Sequence, residues 1–161
     1  MRTITIYPSN KEHFIKLKKF ADETLYFCNK IGILPIAYGS LILFGYTKND
    51  KIVVNDVDFL IPEGAFEKII KILKKKKIKY NYSKEWHTLQ IFKGKLKIEL
   101  DSIEFWQKNL PKDFEKFNFD GLIVKAVSLN SLKEIYKKAS EISKDNPHGN
   151  LKKFMELQRL K

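Results

Sequence analysis

The sequence predicts an α/β (α+β) domain in which a mixed β-sheet is packed by helices. One observation is that apolar residues recur at helical spacing in three separated segments, 10–30, 63–77 and 131–142. Another is that the intervening segments alternate with period two. In Lys95–Ile103, Leu96, Ile98 and Leu100 face one way while Lys97, Glu99 and Asp101 face the other. A third is composition: 161 residues, 43% hydrophobic and 13% aromatic, suffice for a packed core rather than a disordered chain. The whole of 1–161 is expected to form one domain, without repeats, low-complexity segments or an interdomain linker.

In chain order, Thr3–Tyr7 alternates polar and apolar residues and predicts a first strand, at an edge. Ser9-Asn10-Lys11-Glu12 fits a capping box, and behind it Phe14, Leu17, Ala21, Leu25 and Cys28 line one helical face until Ile31-Gly32. Ile33–Tyr38 follows, kept extended by Pro35, and leads into the turn Gly39-Ser40. A short apolar helix, Leu41–Gly45, and a polar turn, Tyr46–Lys51, precede a strand that carries Asp56-Val57-Asp58. Glu63–Lys77 reads as a helix with Phe66, Ile69, Ile70 and Leu73 inward, and its lysine run 74–77 suits the negative end of the helix dipole. Ile78–Tyr82, His87–Phe92 and Lys95–Ile103 read as strands, the last two joined by a tight Lys93-Gly94 turn. Phe105–Phe117 is expected as a loop or short helix over the sheet, and Phe119–Val124 as a turn and a further strand. Ser131-Leu132-Lys133-Glu134 fits a second capping box for a helix lined by Leu132, Ile135, Tyr136, Ala139 and Ile142. Leu151–Leu160 closes the chain as a helix.

The stretch Ala37–Pro62 carries the chemistry. On a strand, side chains two apart share a face, so Asp56 and Asp58 lie roughly 6–7 Å apart on one side. Like charges that close oppose each other's ionisation unless a cation compensates, and hard carboxylate oxygens suit Mg²⁺ or Mn²⁺. At the other end, Gly39 lets the backbone approach a ligand closely, and Ser40 opens a short helix whose N–H groups suit a phosphate. Lys48 and Lys51 lie close in sequence to that phosphate site, either as triphosphate contacts or as solvated loop lysines. A phosphate cradle followed by a two-carboxylate metal site is what a nucleoside triphosphate requires.

Gly-Ser, a short helix and a strand with Asp-x-Asp together resemble the nucleotidyltransferase fold shared with polymerase β. The interval from Ser40 to Asp56 is 16 positions, which is closest to the LicD/fukutin branch. The pattern of that branch reads here as Tyr38-Gly39-Ser40-Leu41-Ile42, Gly45, Asn55-Asp56-Val57-Asp58 and Pro62. Ser stands for Thr, and Asn55 stands where the branch has an acid. The resemblance implies a third carboxylate on the hairpin strand, Glu99 first, with Asp101 in reserve. It also implies metal-assisted transfer of a nucleoside monophosphate from a triphosphate to a hydroxyl of an RNA, protein or small molecule. The branch itself implies a CDP-linked donor and transfer of a phospho-alcohol. A catalytically silent module that binds RNA or protein is a third alternative. Lys144-Asp145 after the penultimate helix loosely matches the ending of many small members.

Composition bounds the rest. The net charge of +12 attracts polyanions, yet Arg2 and Arg159 are the only arginines, which disfavours sequence-specific base reading. Apolar runs are too short for the roughly 20 residues of a membrane span, and a cytoplasmic setting is expected. The lone Cys28 excludes an internal disulfide and reads as buried and inert. His13, His87 and His148 lack zinc-ligand spacing, and no P-loop, dinucleotide-binding glycine pattern or serine triad is present. Trp86 and Trp106 suit either base stacking or ordinary packing.

Overall fold

Eight strands form one mixed sheet in the order β1-β7-β8-β2-β3-β6-β5-β4, in a computed structural model that describes residues 1–106, 113–142 and 147–160. The strands are β1 Arg2–Ile4, β2 Ile36–Tyr38, β3 Asp56–Ile61, β4 Lys79–Ser83, β5 Thr88–Lys93, β6 Leu96–Ser102, β7 Phe114–Phe119 and β8 Leu122–Val127. The helices are α1 Lys11–Lys30, α2 Gly39–Thr47, α3 Phe66–Lys75, α4 Ile103–Trp106, α5 Leu129–Ile142 and α6 Pro147–Gln158, and a 3₁₀ turn at Glu63–Ala65 leads into α3. The predicted mixed sheet with packed helices is what forms. None of the described helices is long and apolar enough to cross a membrane.

Pairing sets the site. β2 runs antiparallel to β3 with Tyr38 opposite Asp58, and β3 runs parallel to β6 with Asp58 opposite Glu99. β6 and β5 are antiparallel, as are β5 and β4. β1 is the predicted edge strand and pairs in parallel with β7. That pairing corrects the expectation for Phe105–Phe117: α4 covers its start, but Phe114 onward is a strand of the sheet. Alternation in Phe-Glu-Lys-Phe-Asn-Phe carries the signal, with Phe117 and Phe119 fully inward.

α1 lies across β8, β3 and β6, burying Phe14, Leu17, Phe20, Ala21, Leu25, Phe27 and Cys28. Burial pushes the Cys28 thiol up to about 12, so it stays an unreactive apolar filler. α2 is apolar all round and buried on nearly every side, as a central helix is. Its outer flank meets α5 and α6, which also pack on each other.

Neither capping box forms. Asn10 precedes α1, and its side chain instead pairs with the backbone of Val54, donating to the carbonyl at 2.9 Å and accepting from the N–H at 3.2 Å. A ring nitrogen of His13 lies 2.9 Å from the Asn55 carbonyl. These contacts tie the start of α1 to the segment that enters β3, and so steady Asp56. For α5 the cap is Ser128, whose hydroxyl accepts from the Ser131 N–H at 3.2 Å. Ser131 is therefore inside the helix rather than before it.

Candidate active site

Three carboxylates converge at the centre of the sheet. Asp56 and Asp58 share a face of β3, and Glu99 stands beside Asp58 on the neighbouring β6. One carboxylate oxygen from each lies within 4.8 Å of the other two, and all three residues are half-buried. The backbone makes room for this. Gly39 has φ +76°, and a Cβ there would come within 2.1 Å of the Asp58 Oδ2. Only glycine fits, both because of the left-handed backbone and because the carboxylate occupies the space a side chain would need.

The electrostatics show a site short of positive charge. Burial raises the Asp58 pKa well above the ordinary carboxylate range, and the charges of Asp56, Glu99 and Asp101 add to the rise. Lys97 opposes it, with its Nζ 3.0 Å from Asp56 Oδ2 and 3.2 Å from Glu99 Oε2. Burial disfavours the Lys97 charge, but the hydrogen bond to Asp56 and the Glu99 charge outweigh that, so its pKa is raised. Asp101 lies apart from the cluster, buried, accepting hydrogen bonds from the Tyr38 and Thr88 hydroxyls. Burial, with the Glu99 charge behind it, pushes its carboxyl up to about 7 against those two hydrogen bonds. It accepts from Tyr38 outside the group of three carboxylates that lie within 4.8 Å of one another.

No protein-family profile and no curated protein matches the sequence. Solved structures do match. The antibiotic-resistance factor ANT(2'')-Ia superposes with TM-score 0.65 at 11% identity, over 90% of this chain and 84% of its own. The lincosamide antibiotic adenylyltransferase LnuA, lincomycin-bound, gives 0.56 at 11% identity, over 86% and 96%. A nucleotidyltransferase candidate from Thermotoga maritima gives 0.57 at 18% identity, over 93% and 96%. The fold is the nucleotidyltransferase fold.

Within this nucleotidyltransferase fold, α2 starts beside the acids and points away from them. Gly39 and Ser40 stand at its near end. Lys48 is exposed at its far end, eight residues beyond Ser40, or about 12 Å at a helix rise of about 1.5 Å per residue. Among the described residues the ammonium at Ser40 is instead that of Lys153, on α6, 3.3 Å from the Ser40 hydroxyl. Lys153 also lies over the ring of Tyr136, 5.5 Å from its centroid. Burial raises the Tyr136 pKa, and the charge of Asp58 adds to the rise. Sequence reasoning missed Lys153 because 113 positions separate it from Ser40; a lysine at helical spacing on a mostly polar helix carries no local signal. Lys144-Asp145 lies outside the described residues. Trp86 and Trp106 both line a cleft beside Glu99.

Proposed function

We propose that the protein transfers a nucleoside monophosphate from a nucleoside triphosphate to a hydroxyl acceptor, using Mg²⁺ or Mn²⁺. The observation that carries this is the convergence of Asp56, Asp58 and Glu99 against a glycine-opened helix start within this fold. The donor set fits a hard divalent ion: three carboxylate oxygens, close together, with the Asp58 pKa raised by burial and further by its neighbours' charge. Asp56 and Asp58 would hold the ion and Glu99 would complete the set. When bound, the ion supplies positive charge against the donor's phosphate oxygens and the charge that develops during transfer.

The chain's own groups do the rest. The N–H groups at the start of α2, with the Ser40 hydroxyl and the Lys153 ammonium, hold the distal phosphates. Glu99 takes the proton from the acceptor hydroxyl as its oxygen bonds to the α-phosphorus, and the bond from that phosphorus to the pyrophosphate oxygen breaks. LnuA is an adenylyltransferase seen with lincomycin, which supports a plain triphosphate donor and a small acceptor here.

Thermal unfolding tests the reading. Mg²⁺ with a nucleoside triphosphate should raise the melting temperature by linkage, and Asp58→Asn should lose that rise while its metal-free melting stays cooperative. An undiminished rise in Asp58→Asn would contradict it. A CDP-linked alcohol, the donor implied by the LicD-like motif spacing, is separated by the same measurement: it would stabilise the parent protein where triphosphates do not.

A further inference from the structure

Beside Glu99 the sheet carries a cleft of about 670 Å³, within the range of small-molecule sites. We propose that this cleft is the acceptor site and takes a small cationic polyol with ring faces, not a nucleic acid. The inference rests on the transferase reading above and names its acceptor class. Its first ground is register. Asn81, Gln90 and Glu99 stand opposite one another on β4, β5 and β6, and the row continues to Asp58 on β3. Ser83, Thr88 and Asp101 form a second row next to it. Strands lie about 4.8 Å apart, so a molecule on this polar floor reaches from Asn81 to the reacting centre in three steps. Amides and hydroxyls on such a floor suit a ligand rich in hydroxyl and amine groups.

The second ground is the aromatic wall. Phe105 packs edge-on to Trp106 with centroids 5.3 Å apart and stacks on His87 at 5.1 Å, so this wall is braced from behind. Trp86 is 43% exposed and offers a free ring, and the Trp106 indole N–H has no hydrogen-bond partner among the described residues. Indole faces hold ring faces and ammonium groups alike.

Charge is the third ground. The chain has 31 lysines and arginines, yet none lines the cleft among the described residues, whereas Glu85, Glu99 and Asp101 do. Two nearby ammonium groups are already committed. Lys97 bridges Asp56 and Glu99, and Lys138 donates to the Phe105 carbonyl under the rings of Phe105 and Trp106. A polynucleotide would bring phosphates to a cleft whose described lining carries carboxylates and no lysine or arginine, where aromatic platforms for single strands need a basic groove. An amine-bearing molecule meets complementary charge.

Trp86 and Trp106 are the only two tryptophans, so the intrinsic fluorescence of the full chain reports on this cleft. The experiment titrates the protein, with no nucleotide or metal, against a glucosamine trimer, its neutral N-acetylated counterpart and a short oligouridylate. The amine trimer should change the emission saturably and bind about tenfold or more tighter than the acetylated one, and Glu85→Gln should narrow that gap. Oligouridylate should leave the emission unchanged. Equal affinity for the two trimers, no response to the amine, or tighter binding of oligouridylate would overturn the assignment. Amine binding without the Mg²⁺–nucleotide stabilisation would defeat the transferase reading alone, and the reverse pattern would defeat this one alone.

Discussion

At the scale of residues, two acids of one strand are placed very differently. Glu99 reaches the cluster on β3, whereas Asp101, two positions on, is turned into hydrogen bonds from Tyr38 and Thr88. Glu99→Gln should therefore cut pyrophosphate release by roughly 10²-fold or more while nucleotide affinity changes little, because Asp56 and Asp58 would still hold the ion. Asp101→Asn should cost much less, and the reverse ranking would move the base to Asp101. Asp101 also sets a pH dependence. Its folded pKa, about 7, lies above its unfolded value near 4, so the folded state holds the proton more tightly. The stability it contributes is full below about pH 4 and lost as pH rises through 7. Asp58 is shifted in the same direction. With chelator present, the melting temperature should fall between pH 5 and 7.5, and Asp101→Asn should flatten that fall; a parent protein that gains stability over this range would contradict the shift. The shared face of Asp56 and Asp58 was legible because strand alternation alone sets it; Glu99 came from the family resemblance, since only the pairing of β6 with β3 brings it beside Asp58. Lys153 was not, because only the packing of α6 against α2 brings it to Ser40.

At the scale of elements, α2 is the part most constrained from all sides. Its start must leave room for the Asp58 carboxylate, and its last turn packs on the rings of β7. A Cβ on Gly45 would stand 2.8 Å from Phe117 Cε1 and 3.0 Å from Phe119 Cζ. Those rings are held by stacking on each other at 5.5 Å, and Phe119 also stacks on Phe44, so they have little room to yield. Gly45→Ala should cost about 1–3 kcal/mol by overpacking, despite alanine's better helix propensity, as read from denaturant midpoints. A stabilised variant would mean that the two rings move aside freely. Helices and strands were legible from periodicity, since burial follows the apolar spacing in α1, α3 and α5. Helix starts were less so. Ser9 and Ser131 both satisfy the capping pattern, yet Asn10 is drawn to Val54 and Ser128 takes the cap of α5. A four-residue pattern does not register a competing partner 44 positions away.

At the scale of the molecule, the layout is a sheet whose middle carries the acids, with the start of α2 and Lys153 of α6 on one side and the cleft formed by β4–β6 and α4 on the other. The α/β class and the β5–β6 hairpin follow from the sequence, because each rests on a local pattern. The pairing of β1 with β7 does not, since it joins residues over 100 positions apart and no local signal specifies the partner. Charge was legible in amount but not in distribution. A surplus of +12 suggests polyanions, while the cleft beside Glu99 is lined by acids and aromatics. The central claim is that Asp56, Asp58 and Glu99 hold a divalent ion against a nucleotide. The most direct measurement is an anomalous difference map from crystals soaked with Mn²⁺ and a non-hydrolysable nucleoside triphosphate. The account predicts a Mn²⁺ peak among these three carboxylates, with the triphosphate running to Gly39, Ser40 and Lys153. A nucleotide bound elsewhere, or Lys97 still bridging Asp56 and Glu99 with no metal peak, would contradict it.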